Sequence, residues 1–167
     1  ADEMWRMLDC AYSYKHPAVV RFARTNAISD IDPYKEGQSL EIGKGRIIRK
    51  GNKIALCVFG PLLYEYMDLC EKYDISLIDM RFVKPLDEAL VRSLAESHDY
   101  LVSIEEGAIE GGIGEAIAHL VISSRLNATV FCKGIPDRFI MEDSRRGILH
   151  DLELDAEGIE SFIKSLI

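Results

Sequence analysis

The sequence predicts a three-layer α/β sandwich: a mostly parallel sheet of about five strands with one antiparallel edge strand, and helices on both faces. Three observations lead there. Residues 54–59, 75–80, 100–104 and 129–132 are largely apolar runs, the pattern of strands buried on both faces in a parallel sheet. The stretches between them, 62–73, 87–97 and 113–124, are amphipathic at helical spacing. Gly51-Asn52 between Ile47-Ile48 and the run from Ile54 is a hairpin dipeptide, which supplies the antiparallel edge.

Taken in order, residues 2–15 place Met4, Trp5, Met7, Leu8, Ala11 and Tyr12 on one helical face. His16-Pro17 ends that helix, because the residue before proline is driven out of the α region. Ala18 to Phe22 then reads as a short buried strand, with Arg21 and Arg24 at its far end. This helix and strand cannot bury their apolar faces alone, so they read as the last unit of a preceding domain. From Thr25 to Gly45 a polar stretch with Asp30, Asp32, Pro33, Gly37 and Gly43 reads as a linker lying on a surface. Strands and helices alternate from Gly45 onward, with Asp87 or Glu88 near the positive end of the helix over 87–97. The pattern closes with a terminal helix over 156–167. The chain opens at Ala1 already inside a helical pattern, which leads us to expect a piece of a longer polypeptide.

At 167 residues and 48% apolar content the chain can build one ordinary core plus an appendage. A net charge of −8 argues against nucleic acid or an anionic membrane as partner, since both demand clustered Lys and Arg. The basic residues that cluster, Arg46, Arg49, Lys50 and Lys53, read as a solvated edge. No apolar stretch reaches the ~20 residues of a membrane span. Four cysteines, Cys10, Cys57, Cys70 and Cys132, lack metal or redox spacing. Reduced thiols in a cytoplasmic or stroma-like compartment are expected.

Several residue groups are candidates for chemistry. Glu110-Gly111-Gly112-Ile113-Gly114 follows a strand and opens a helix, the setting of a phosphate loop. The dinucleotide pattern fails because Ile117 takes its third glycine position, and Glu105, Glu106, Glu110 and Glu115 would repel phosphate. A tight turn with close helix packing is the better account. Glu105-Glu106, at a strand's carboxyl end, offers paired carboxylates for acid–base work or a metal. A structural role, capping the next helix or pairing with a basic loop, has more in its favour. Arg21 and Arg24 present guanidinium forks suited to phosphate or carboxylate; a local carboxylate such as Asp30 or Asp32 is the equal alternative. Arg81 and Lys84 offer a second anion site, and a structural turn fixed by Pro85 and capped by Asp87 explains them equally. His16, His98, His119 and His150 show no triad or metal arrangement and read as structural or solvent-exposed.

The segments VRFARTNA (20–27), IGKG (42–45), DMRFVKPLDEAL (79–90), EEGAIEGGIGEAI (105–117), GIPDRFI (134–140) and LDAEGI (154–159) together resemble the 1-deoxy-D-xylulose 5-phosphate synthase family of the transketolase superfamily, over essentially the whole chain. The resemblance implies the end of a pyrimidine-binding domain plus linker at 1–41 and a transketolase-type C-terminal domain at 42–167. It implies a parent enzyme, a homodimer, that uses thiamine diphosphate and Mg²⁺ to condense pyruvate with glyceraldehyde 3-phosphate, losing CO₂. The cofactor and metal would be held by N-terminal domains absent from this chain, which alone would be inactive. One family residue carries over: the arginine that holds the substrate phosphate in an Arg-Tyr-Pro-Arg-Gly segment matches Arg24. Its upstream neighbour matches Arg21, for which a structural role weighs more. Phe22, Ala23 and Thr25 replace the tyrosine, proline and glycine and alter the loop's stiffness. A free-standing regulatory or protein-interaction domain is the alternative from another class, and an independent nucleotide-binding module is disfavoured by the failed glycine pattern.

Overall fold

The computed structural model describes residues 2–23, 25 and 40–167. Arg24, Asp30 and Asp32 lie outside the described residues, as does most of the expected linker. Helix α1 spans Asp2–Ser13, and strands β1 to β5 span Arg46–Arg49, Ile54–Phe59, Ser76–Asp79, Tyr100–Ala108 and Thr129–Ile135. A 3-10 helix, Pro61–Tyr66, runs into α2, Met67–Lys72; α3 is Glu88–Ser97, α4 Ile113–Ser123, α5 Arg145–Asp151 and α6 Ala156–Lys164.

The sheet order is β1-β3-β2-β4-β5, with β1 antiparallel and the other pairings parallel. All six residues of β2 are buried, so the central strand needs cover on each face. Ile54, Leu56 and Val58 face a core with Leu62, Leu63, Tyr66, Leu69, Leu149, Leu154, Ile159 and Ile163, from the 3-10 helix to α6. Ala55, Cys57 and Phe59 face the opposite core with Val91, Leu94, Ile117 and Val121 of α3 and α4. Burying one such aliphatic side chain contributes about 1.5–3 kcal/mol, so the two layers dominate the favourable side of folding. Tyr66 adds a buried tie from the 3-10 helix to the C-terminal region within the first layer, its hydroxyl donating to the Leu154 carbonyl at 2.5 Å.

Three expectations change. The strands flanking Gly51-Asn52 do not form a hairpin: β1 pairs with β3, which lies between β1 and β2. The connection therefore crosses the amino end of β3, where Gly51 N–H donates to Ser76 Oγ at 2.8 Å and Asn52 N–H to the Asp74 carbonyl at 2.6 Å. The left-handed residue here is Lys53, φ 57°, rather than Gly51 or Asn52, and a local dipeptide cannot say which strand slots between the two it joins. Ala18–Phe22 forms no strand, and Val19 and Phe22 are 89% and 75% exposed; a strand requires a paired neighbour, and no strand of this sheet reaches it. Finally, α5 was not anticipated, and the helix expected over 62–73 begins as a 3-10 turn. The predicted helix at the N-terminus, the single antiparallel edge strand and the parallel core all hold.

A Cβ at Gly51 would sit 2.3 Å from the Asp74 carbonyl oxygen, backbone against backbone. Gly51→Ala is therefore expected to cost about 1–3 kcal/mol through overpacking. Thermal denaturation should show Tm lowered by roughly 2–10 °C, and an unchanged Tm would refute the crossing contact.

Candidate functional site at the carboxyl edge of the sheet

In open α/β sheets ligand sites form beyond the carboxyl ends of the strands, where the connections part to opposite faces. Here that point lies between β2 and β4: the segment after β2 packs on one core and α4, after β4, on the other. Phe59 and Glu105 are register partners at this edge. The β4 strand carries on past Ile104 through Glu105, Glu106 and Gly107 to Ala108, farther than its apolar run indicated.

Glu105 is 6% exposed. Its Oε1 accepts from Ile113 N–H at 2.8 Å and Gly114 N–H at 3.4 Å, supplying the first turn of α4 with the acceptor that Gly112, at the N-cap, cannot. Glu115 accepts from Gly111 N–H at 3.0 Å. The amide donors that could have cradled a phosphate are thus taken by the chain itself, those of Gly111, Ile113 and Gly114 by carboxylates and that of Gly112 by the Ile109 carbonyl. A diphosphate does not fit this turn, and the capping alternative for Glu105 is the one realised. Glu106 takes the other alternative: Arg145 grips it with Nε at 2.7 Å and Nη2 at 2.6 Å, while Nη1 lies 3.5 Å from Glu65. The pairing with Glu106 raises the already high pKa of Arg145. Sequence reading missed Arg145. Its position was the only signal, since a cation in the first turn of a helix opposes the dipole unless a carboxylate elsewhere claims it.

At the end of β3 a second ionic group forms. Asp79 Oδ2 lies 3.3 Å from Arg46 Nη2 and 3.6 Å from Arg81 Nε, and Arg81 Nε donates to Glu3 of α1 at 2.9 Å. The Arg81 and Asp79 side chains are each 8% exposed, so Arg81 is a tie to α1 rather than an open anion site. The pair Arg81 and Lys84 does not form that site, and Arg46 is not a solvated edge residue. A left-handed backbone at Arg81, φ 55°, turns the chain there. Burial, then the nearby Glu3 carboxylate, pushes Asp79 up to about 7, against the pull of Arg46. Burial also lowers Arg81. Asp87 caps α3 through Leu90 N–H and accepts from Gly45 N–H, both at 3.1 Å. The adjoining Lys84–Pro85 peptide is cis, and a Cβ at Gly43 would meet the Pro85 ring at 2.7 Å.

Of the two candidate phosphate residues, Arg21 is described and exposed. Its Nη2 lies 3.3 Å from where a Cβ would stand on Gly107, which brings it to the carboxyl edge of β4. His98 is tied to Ser76 Oγ at 2.9 Å, a structural role. His150 Nδ1 meets Asp155 Oδ2 at 2.7 Å, and ligand atoms of His150, Asp155 and Glu157 fall within 4.8 Å of one another, a grouping the spacing did not reveal. Asp155 already serves α6, accepting from Gly158 N–H at 2.8 Å. The four cysteines are unpaired, and burial pushes Cys57 and Cys70 up to about 12, which keeps both as inert thiols. Among the described residues no helix is long and apolar enough to cross a membrane.

Residues 43–159 match the transketolase C-terminal domain family, and the chain belongs to it. Across 99% of its length it is 44% identical to 1-deoxy-D-xylulose-5-phosphate synthase of Haemophilus influenzae strain 86-028NP, of which it covers 26%. The synthase of Vibrio campbellii is 41% identical over the same share of the chain, which covers 27% of that protein. That of Pseudomonas aeruginosa strain LESB58 is 43% identical over 98% of the chain and 26% of the relative. The chain thus spans about a quarter of the length of these relatives. A solved structure described as a split-gene transketolase, inactive beta4 tetramer, superposes with a TM-score of 0.67 over 81% of this chain and 45% of that one. At 21% identity that likeness shows the fold.

The folded-state pKa of Asp79 lies above its unfolded value of about 4, so the native state binds the extra proton between them. The contribution is fully present below about pH 4 and is lost as pH rises through about 7. Urea titrations across pH 4–8 are expected to show that loss of stability in the native chain. Asp79→Asn should flatten it, and an identical pH profile in both would refute the assignment.

Proposed function

We propose that this chain is the C-terminal portion of a 1-deoxy-D-xylulose 5-phosphate synthase, which condenses pyruvate with glyceraldehyde 3-phosphate and releases CO₂ in the first step of non-mevalonate isoprenoid synthesis. One observation carries the reading: the 44% identity covers 99% of the chain and so continues through the N-terminal residues, outside the 43–159 match to the domain family. A shared domain alone would not extend there.

On this reading residues 1–41 close a pyrimidine-binding domain and 42–167 form the transketolase-type C-terminal domain. The exposed Trp5, Val19 and Phe22 support a covering partner, because large apolar side chains this exposed in one short segment favour burial in an interface. That partner is the N-terminal part of the same protein, assembled as a homodimer in the bacterial cytoplasm, as the bacterial sources of the relatives suggest. Thiamine diphosphate with Mg²⁺ supplies the carbanion chemistry, held by residues outside this chain. The occupied amide donors at the α4 amino end agree with that division. Within the chain, Arg24 holds the phosphate of the aldehyde substrate, and Arg21 has a supporting role.

In the polypeptide that includes the N-terminal domains, Arg24→Ala should raise KM for glyceraldehyde 3-phosphate by roughly 10–100-fold, the value of one or two charged hydrogen bonds, with kcat little altered. Steady-state kinetics with an unchanged KM would remove Arg24 from the phosphate site. The 167-residue chain alone is expected neither to bind thiamine diphosphate in calorimetry nor to consume pyruvate. Turnover by this chain alone would overturn the reading.

A further inference from the structure

Glu105 is enclosed by glycines in a way that helix capping does not explain. A Cβ on Gly107 would lie 2.5 Å from Glu105 Oε2, and one on Gly112 2.5 Å from Oε1. Capping uses Oε1 alone. Room has therefore been left around Oε2 as well, on the side where Arg21 Nη2 stands 3.3 Å from the vacant Gly107 Cβ position. A carboxylate oxygen and a guanidinium nitrogen thus flank one empty side-chain position, at the strand edge where this class of sheet ordinarily receives a ligand. The surroundings favour a cation: Glu110 and Glu115 belong to the same turn, and Glu106 is already neutralised by Arg145.

We infer that the switch-point edge of this sheet is a socket for the chain's own Arg21, and that Glu105 is a positioning residue that holds the segment around 18–23 against the carboxyl edge of β4. One carboxylate thereby does two jobs, capping α4 through Oε1 and seating Arg21 through Oε2. Any side chain at 107 would press on both charged groups. The consequence for Arg24 follows from covalent geometry: three residues reach about 11 Å at most, so seating Arg21 confines where Arg24 can act. This consequence rests on the function proposed above; the socket itself does not.

Chymotrypsin cleavage after Phe22, which is 75% exposed, tests the socket without any assay of activity. Rates are normalised to cleavage of the urea-unfolded chain, and cleavage after Phe162 in α6 monitors global opening. Glu105→Gln keeps an oxygen for the α4 cap but loses the charge. It and Arg21→Ala should each speed cleavage after Phe22 about two- to fivefold, as for a partly exposed ion pair, with no change after Phe162. The double variant should be no faster than either single one, because the two groups act as a pair. Unchanged cleavage in Arg21→Ala, or effects that multiply in the double variant, would overturn the proposal. Should Glu105→Gln accelerate both sites in parallel, a cap defect is revealed and Arg21→Ala decides alone, since Arg21 takes no part in the cap. In the polypeptide with its N-terminal domains, Glu105→Gln should also raise KM for glyceraldehyde 3-phosphate while leaving pyruvate KM unchanged. Faster cleavage without that kinetic change keeps the socket and rejects the phosphate role of Arg24.

Discussion

A strand with no exposed side chain, as Ile54–Phe59 is, must have a covering layer on each face, and that demand organises the rest of the domain. The 3-10 helix, α2, α5 and α6 supply one layer, and α3 and α4 the other. Because the connections that leave β2 and β4 part to opposite faces, the switch point of the sheet falls at the carboxyl edge between these two strands. Functional geometry in this domain is a by-product of how its most buried strand is covered.

What fills that edge is the chain's own charge. Glu105 supplies α4 with an acceptor, Glu106 binds Arg145, and Asp79 is shared between Arg46 and Arg81, which reaches Glu3 on α1. Half-buried ionic groups contribute little net stability when they replace good hydration, yet they are costly to break on one side only. Their value here is positional. Through Arg81 and Glu3 one of them ties α1 to the edge of the domain.

The glycine-rich turn shows why a motif read in one dimension can mislead. Its setting, strand to helix, suits phosphate, and its glycines suggest a backbone laid open to a ligand. In three dimensions Gly107 and Gly112 make room for the Glu105 side chain, and the amides of Gly111 and Ile113 point at carboxylates. Charge content already spoke against phosphate; the identity of the occupant required the fold.

Apolar periodicity by itself determined the parallel sheet and most helices, because burial on two faces leaves a continuous apolar signature that composition cannot hide. Capping by Asp87 and the structural use of Glu105 were legible for the same local reason, since both act on amides a few residues away. Helix α5 was not, although Ser144 accepts from Gly147 N–H at 3.1 Å as an N-cap and Ile148, Leu149 and Leu152 are spaced helically; seven residues are too few for periodicity to stand out. Tertiary structure alone decided that β3 inserts between β1 and β2, that Arg81 reaches Glu3 seventy-eight positions away, and that Arg145 answers Glu106. Each depends on which strands lie side by side, and strand order is set by the packing of whole layers, a quantity no short stretch of residues contains.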